Sequence, residues 1–297
     1  MIRSVYMNNT KVANVITSID DFSQELAITE FGKDKKDICS YLNFATDDGS
    51  ELKSITRFDL MVMDAVYALH VSGRRTFTLE MLANTIACKE VSLEKTTSSK
   101  LRNIKESMEK MRRIFVSIDY TDIKRATGEI IEDDKYILND NLIPAAVHIV
   151  KSKVKKRNKI EYEMERTPIL YRYAQDLGRI INIPTKILTL NGIREDDDFL
   201  VLKHQLIKEI AVMKNTRNNF QNRIIKYEWA NGEQGGFVHR IGLDKNNYTN
   251  DVQWKKRKVK LTNHIEVILN HLIEVKYIKG YEHIKEGKSV VGFEIRT

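Results

Sequence analysis

No stretch of this chain stays apolar for the ~18 residues that crossing a bilayer requires, and the opening MIRSVYMNNTK is too polar for a signal peptide. A cytoplasmic protein without membrane attachment is expected. Cysteine is nearly absent: Cys39 and Cys88 stand far apart with no CxxC companion, which argues against a disulfide framework or a structural zinc. Only three prolines interrupt 297 residues, of which 42% are hydrophobic and 30% charged. The chain therefore reads as folded and helix-rich, and it is long enough for two domains.

Catalytic signatures are missing as well. None of the seven histidines has another one residue away, the spacing a metal-dependent nicking site uses, and His264 and His271 are too far apart for an HExxH pair. No GxxxxGK[ST] loop occurs, and the NGEQGG stretch lacks both the lysine and the following helix of a nucleotide-binding loop. No GxSxG or Cys–His pattern stands out. Tyr171 and Tyr173 fall in a periodic apolar segment and are read as core residues, while Asp196, Asp197 and Asp198 are read as partners of a helix N-terminus. No enzyme activity, catalytic residue, metal or cofactor is expected.

What is present in excess is positive charge. Lys and Arg number 49 against 41 Asp and Glu, a net charge of +8, which favours a polyanion as partner. The cations also cluster, around Lys151 to Lys159 and again from Lys255 to Lys260.

The stretch from Ser54 to Tyr120 reads as helix, short strand plus helix, basic helix and strand, the order of a winged helix-turn-helix. In the first helix Ile55, Phe58, Met61, Val62, Ala65, Val66 and Leu69 recur at steps of three and four, giving one apolar face about 100° wide. Thr78 can cap the second helix, with Glu80 in its first turn. The third carries a narrow apolar stripe of Leu101, Ile104, Met108 and Met111, with its cations elsewhere on the surface. At its start Thr97, Ser98, Ser99 and Lys100 combine hydroxyls, a cation and free helix amides, which suits a phosphate.

Beyond it, Phe115 to Tyr120 and the returning KYILNDNLIPAAVHIV are expected to form a wing, with Lys124 and Arg125 near its tip. KSKVKKRNKIEYEMER is either a hairpin whose basic turn holds Lys155, Lys156 and Arg157, or a linker; both leave those cations in solvent. Thr167 and Pro168 then open a helix that Pro184 closes, and a polar stretch runs from Ala230 to Asn250. The final segment reads as a basic leader, an amphipathic helix with Ile265, Ile268, Leu269 and Leu272, and a hairpin ending in Val291, Phe293 and Ile295. It repeats the pattern of the first half, a cation-rich helix running into a strand. The expected architecture is α+β and helix-rich: an N-terminal arm or short strands over residues 1–50, then two winged helix-turn-helix domains in tandem, 51–165 and 166–297.

With ITRFDLMVMDAVYAL opening the first module, SSKLRNIKESMEKM as its basic helix, and KVKLTNHIEVILNHLIEVKYIKGY with a terminal VVGFEIR closing the second, residues 50–297 resemble the tandem winged-helix replication initiators of theta-replicating bacterial plasmids and mobile elements. The resemblance implies binding of duplex DNA at origin repeats, helix opening and recruitment of host replication proteins. It also implies dimerisation through the first domain and repression of the protein's own promoter. It assigns Ser98, Ser99, Lys100, Arg102, Asn103 and Lys105 to the first DNA contact, and Lys256, Arg257, Lys258, Lys260, Asn263 and His264, beside Lys255, to the second. The polar stretch from Ala230 to Asn250 leaves the second helix of the second module unidentified. A transcriptional repressor built on the same contacts, or a winged-helix scaffold that binds protein, are the alternatives.

Overall fold

The computed structural model describes residues 3–19, 22, 24–31, 37–47, 49, 54–88, 97–126, 128–129, 134–151, 158–190, 195–215, 224–227, 236–243, 245, 248–287 and 289–297. The chain divides into two units, Met1–Asn182 and Ile183–Thr297.

The first unit opens with β1 (Ser4–Asn8), α1 (Lys11–Val15), β2 (Leu26–Phe31) and β3 (Asp37–Thr46). Alternation along β3 covers Ile38, Ser40, Leu42 and Phe44 and leaves Tyr41, Asn43 and Ala45 outward. Helix α2 (Arg57–Val71) begins in a capping box, in which the Thr56 hydroxyl takes the Asp59 amide and the Asp59 carboxylate reaches back to the Thr56 amide. The spacing suggests one dry face, yet every residue from Asp59 to Leu69 is buried. The reason is that β1 and two later helices pack around α2, making it the central rod of the unit. Asp64 survives there because the Tyr171 hydroxyl donates to it, and the Tyr171 ring stacks on Tyr67 at 3.7 Å. Tyr171 and Tyr173 are both fully buried, as core tyrosines should be.

Next come β4 (Thr76–Thr78), α3 (Leu79–Ala87, capped by Thr78), α4 (Ser98–Arg113), β5 (Ile114–Asp119), α5 (Thr121–Ala126) and β6 (Ile137–Asn141). Here the structure corrects the expected wing. β5 pairs with β3 and β6, in an antiparallel sheet of order β2-β3-β5-β6. The hairpin in the expected place of a wing is the following one, β7 (Ala145–Lys151) and β8 (Asn158–Met164), and β4 joins it in the order β4-β8-β7, Phe77 facing Tyr162. Of the two readings of KSKVKKRNKIEYEMER, the hairpin is the one that folds.

The helix expected from Pro168 to Pro184 is also shorter. α6 spans Ile169–Asp176 without a side-chain cap, because its N-cap is Pro168, which has no polar side chain, while the Thr167 hydroxyl is engaged with His70. Gly178, at φ 66°, turns the chain out of the helix, and β9 (Ile180–Pro184) pairs with β1. α6, expected to open the second domain, thus belongs to the first unit.

The second unit holds α7 (Thr185–Leu188), α8 (Asp197–Asn215), β10 (Ile224–Lys226), α9 (Phe237–Arg240), α10 (Asp251–Glu274), β11 (Gly280–Glu286) and β12 (Ser289–Arg296). The missing second helix is α9, a single turn inside the polar stretch, anchored by buried Phe237 and Val238. The sheet runs β10-β12-β11, all antiparallel. At Gly292 on β12 a Cβ would lie 2.4 Å from the Ile225 carbonyl oxygen, so only glycine lets β10 approach.

The two units share one connectivity. In the first, α2–β4–α3–α4–β7–β8 places the short strand beside the last; in the second, α8–β10–α9–α10–β11–β12 does the same. Helix, strand, two helices and a hairpin is the order expected of a winged helix-turn-helix, and the first unit inserts β5, α5 and β6 before its hairpin. Among the described residues no helix is long and apolar enough to cross a membrane.

Candidate nucleic-acid interface

Helix α4 starts where the Thr97 hydroxyl accepts from the Lys100 amide at 3.4 Å. Its dry side, Ile104, Met108 and Met111, is fully buried against the core. The C-terminal half is further fastened by polar groups. Ser107 donates to Asp59 at 2.7 Å, Lys110 pairs with the same carboxylate, Arg112 Nε donates to the Ala145 carbonyl at 2.6 Å, and Asn141 donates to the Arg112 carbonyl at 2.8 Å. Lys110 and Arg112 are therefore structural cations. The N-terminal half is what faces solvent. Ser98, Ser99, Arg102 and Lys105 share its exposed stripe, while Lys100 and Asn103 lie on the flank, half-buried. The Arg102 side chain is 70% exposed and sits 3.9 Å from Glu106, an i,i+4 pair worth less than about 0.5 kcal/mol, so the guanidinium remains available.

The run expected to be a basic leader is itself helix, the first turns of α10, capped by Asn250 accepting from the Gln253 amide at 2.9 Å. Each residue advances ~100° round the axis, so four consecutive cations cannot share a face. Lys255 and Lys256 point outward. Arg257 turns inward, 18% exposed, and binds Asp198 of α8 at 2.8 Å. Lys258 folds over the Trp254 ring, 5.8 Å from its centroid, where burial, then Lys245 and Lys255, lower its pKa. Lys260 is half-exposed and 3.1 Å from Asp196, the residue that also accepts from the Phe199 amide to start α8. Burial raises the Asp196 carboxyl, but the Phe199 amide and Lys260 outweigh it, leaving the pKa below the ordinary value. His264 lies edge-on to Phe199, ring centroids 5.0 Å apart, and burial reinforced by Lys260 holds its pKa below the ordinary imidazole value. Arg257 and His264, assigned to the second DNA contact, are thus inward supports of α10. Its outward stripe is Val252, Lys255, Lys256, Val259 and Asn263.

The other candidates are placed differently from the expectation. Lys124 and Arg125 lie on α5 rather than at a wing tip, and α5 packs against β3 of the four-stranded sheet. Lys124 pairs with Glu129 at 2.5 Å and Arg125 with Asp122 at 3.6 Å. Lys155, Lys156 and Arg157 fall between β7 and β8 in the sequence and lie outside the described residues. Val252 and Val259 were not among the candidates. Their signal is phase: both stand roughly opposite the Trp254, Leu261, Ile265 and Leu272 side of the same helix, which is buried.

No family model and no curated protein matches the chain. Among solved structures it is similar to a crystal structure of domains 2 and 3 of RctB determined from selenomethionine derivatives. That match has 12% identity and a TM-score of 0.49, covering 97% of each chain. It is also similar to a second crystal structure of RctB domains 2-3, with 10% identity and a TM-score of 0.44, covering 92% of this chain and 91% of the other.

Proposed function

We propose that this chain is a sequence-specific, non-catalytic duplex-DNA-binding protein that lays α4 and α10 each in a major groove, and that it initiates replication of a plasmid or mobile element at origin repeats. The supporting observation is the repeat itself. Two units of one connectivity each leave, on the third helix, an outward stripe that carries cations: Arg102 and Lys105 on α4, Lys255 and Lys256 on α10. The third helix of a helix-turn-helix of this order is the element that enters the major groove, its N-terminal turns nearest the base edges. Lysines and the Ser98 and Ser99 hydroxyls then hold phosphates, whereas Arg102 and Asn263 have donors suited to guanine and adenine edges. A net charge of +8 with clustered cations favours a polyanion as partner.

The role in replication follows the family resemblance of the sequence, which also supplies two protein partners, a second copy of the chain through the first unit and host replication proteins. Exposed Tyr41, Phe115 and Ile137 on the outer face of the four-stranded sheet support the first of these. The test joins binding to replication. The full chain is titrated onto duplex and single-stranded forms of the DNA flanking its gene, and a plasmid lacking its own origin is given the gene with that flanking DNA. Duplex-selective binding with plasmid maintenance is expected. Binding without maintenance would leave a repressor, and no binding to either form would leave a protein-binding scaffold.

A further inference from the structure

We infer that α10 reads the 5-methyl groups of thymine through Val252 and Val259, so that the second unit's half of the binding site is marked by T·A pairs about three base pairs apart. The inference deepens the duplex-binding reading and rests on it. Val252 and Val259 are each 61% exposed, on a helix whose other large apolar residues in its first three turns, Trp254 and Leu261, are buried. They stand within about 20° of one another round the axis and ~10.5 Å apart along it, close to three 3.4 Å base-pair steps. Lys255 and Lys256 lie between them on the same face, and Asn263 follows one turn later.

This arrangement suits a groove floor better than a protein partner. Two valines parted by lysines make no continuous apolar patch, which a protein contact would favour. The floor of the major groove offers one apolar group, the thymine methyl, flanked by phosphates that the lysines match in charge. A β-branched side chain on a helix is held to one χ1 rotamer, so placing its methyls against a base costs little entropy. Helix α4 supplies the internal control: from Ser98 to Glu109 its outward stripe, Ser98, Ser99, Arg102, Lys105, Glu106 and Glu109, carries no apolar side chain.

A library of duplexes with a random core is bound to the full chain, and the recovered sequence is resynthesised with each thymidine replaced in turn by deoxyuridine, which removes the methyl alone. Two positions about three base pairs apart should each lose about fourfold in affinity, as expected for one buried methyl. Val259→Ala should abolish the sensitivity at one and Val252→Ala at the other, with all three proteins binding the doubly substituted duplex equally. Both side chains are exposed, so unchanged thermal melting of the variants is part of the expected result, and Val259→Thr, which keeps one methyl, should restore part of the response. A deoxyuridine effect identical in wild type and both alanine variants, or none at all, overturns the valine assignment while leaving duplex binding in place. Failure to retain any duplex from the library overturns the duplex reading itself, and the valine assignment with it.

Discussion

The two units hold their third helices by the same device at different depths. In the first, Asp59 in the opening turn of α2 is buried and takes Ser107 and Lys110 of α4. In the second, Asp198 in the opening turn of α8 is largely exposed and takes Arg257 of α10, with Asp196 beside it taking Lys260. Both link an acid at the start of the first helix to a cation on the third, so a cation's place in the sequence does not say whether it serves the fold or a ligand. Position round the helix decides that: Lys110, Arg112 and Arg257 turn inward, while Arg102, Lys105, Lys255 and Lys256 remain outward.

The difference in depth can be measured. Asp59→Ala removes the capping box and strands Ser107 and Lys110, and should destabilise the first unit by about 2–4 kcal/mol in urea unfolding. A loss under ~1 kcal/mol would remove the distinction between the units. Reversing Arg102 and Lys105 together to Glu, or Lys255 and Lys256 together to Glu, should each weaken duplex binding at least ~30-fold at 100 mM salt with melting nearly unchanged. If one pair proves dispensable, the units are not equivalent readers. Asp198→Ala should cost no more than about 1 kcal/mol, and the loss should shrink in high salt because the pair is exposed on the carboxylate side.

The smallest effect is one of pH. Burial, then Lys260 and Arg257, against the opposing charges of Asp196 and Asp198, keep His264 less basic in the fold than in the unfolded chain. The unfolded state therefore takes up the proton first, so this contribution is complete above the unfolded imidazole value of about 6.5 and is lost as the pH falls below it. His264→Gln should flatten the decline of stability between pH 7 and pH 5. His70, whose pKa is lowered by burial and then Arg75, supplies the same trend in the first unit and remains in that variant. Parallel declines in the two proteins would remove His264 as a source.

Much of the fold was legible in local pattern. The helices α2 and α4, the Thr78 cap of α3 and the closing hairpin follow from apolar spacing and capping residues. Strand partners did not follow, because alternation in Phe115 to Tyr120 tells which side is covered but not which strand is beside it. β5 does turn back onto β6, but it also joins β3, far upstream, and so lies inside a four-stranded sheet instead of forming a two-stranded wing. Helix α9 is too short to show a period, and Asn and Gly around it read as loop. At the candidate interface the charge runs were visible, but reading Lys255 to Lys258 as a leader hid the helical phase that divides them. The two outward valines were hidden for the same reason.

The most direct test is the salt dependence of duplex binding by the full chain. If α4 and α10 together neutralise six or more phosphates, affinity should fall by ~10³ or more between 50 and 200 mM salt, and the slope should be shallower after Lys255→Glu with Lys256→Glu. A flat response, or one that the double substitution leaves unchanged, would contradict the assignment of these two helices to DNA.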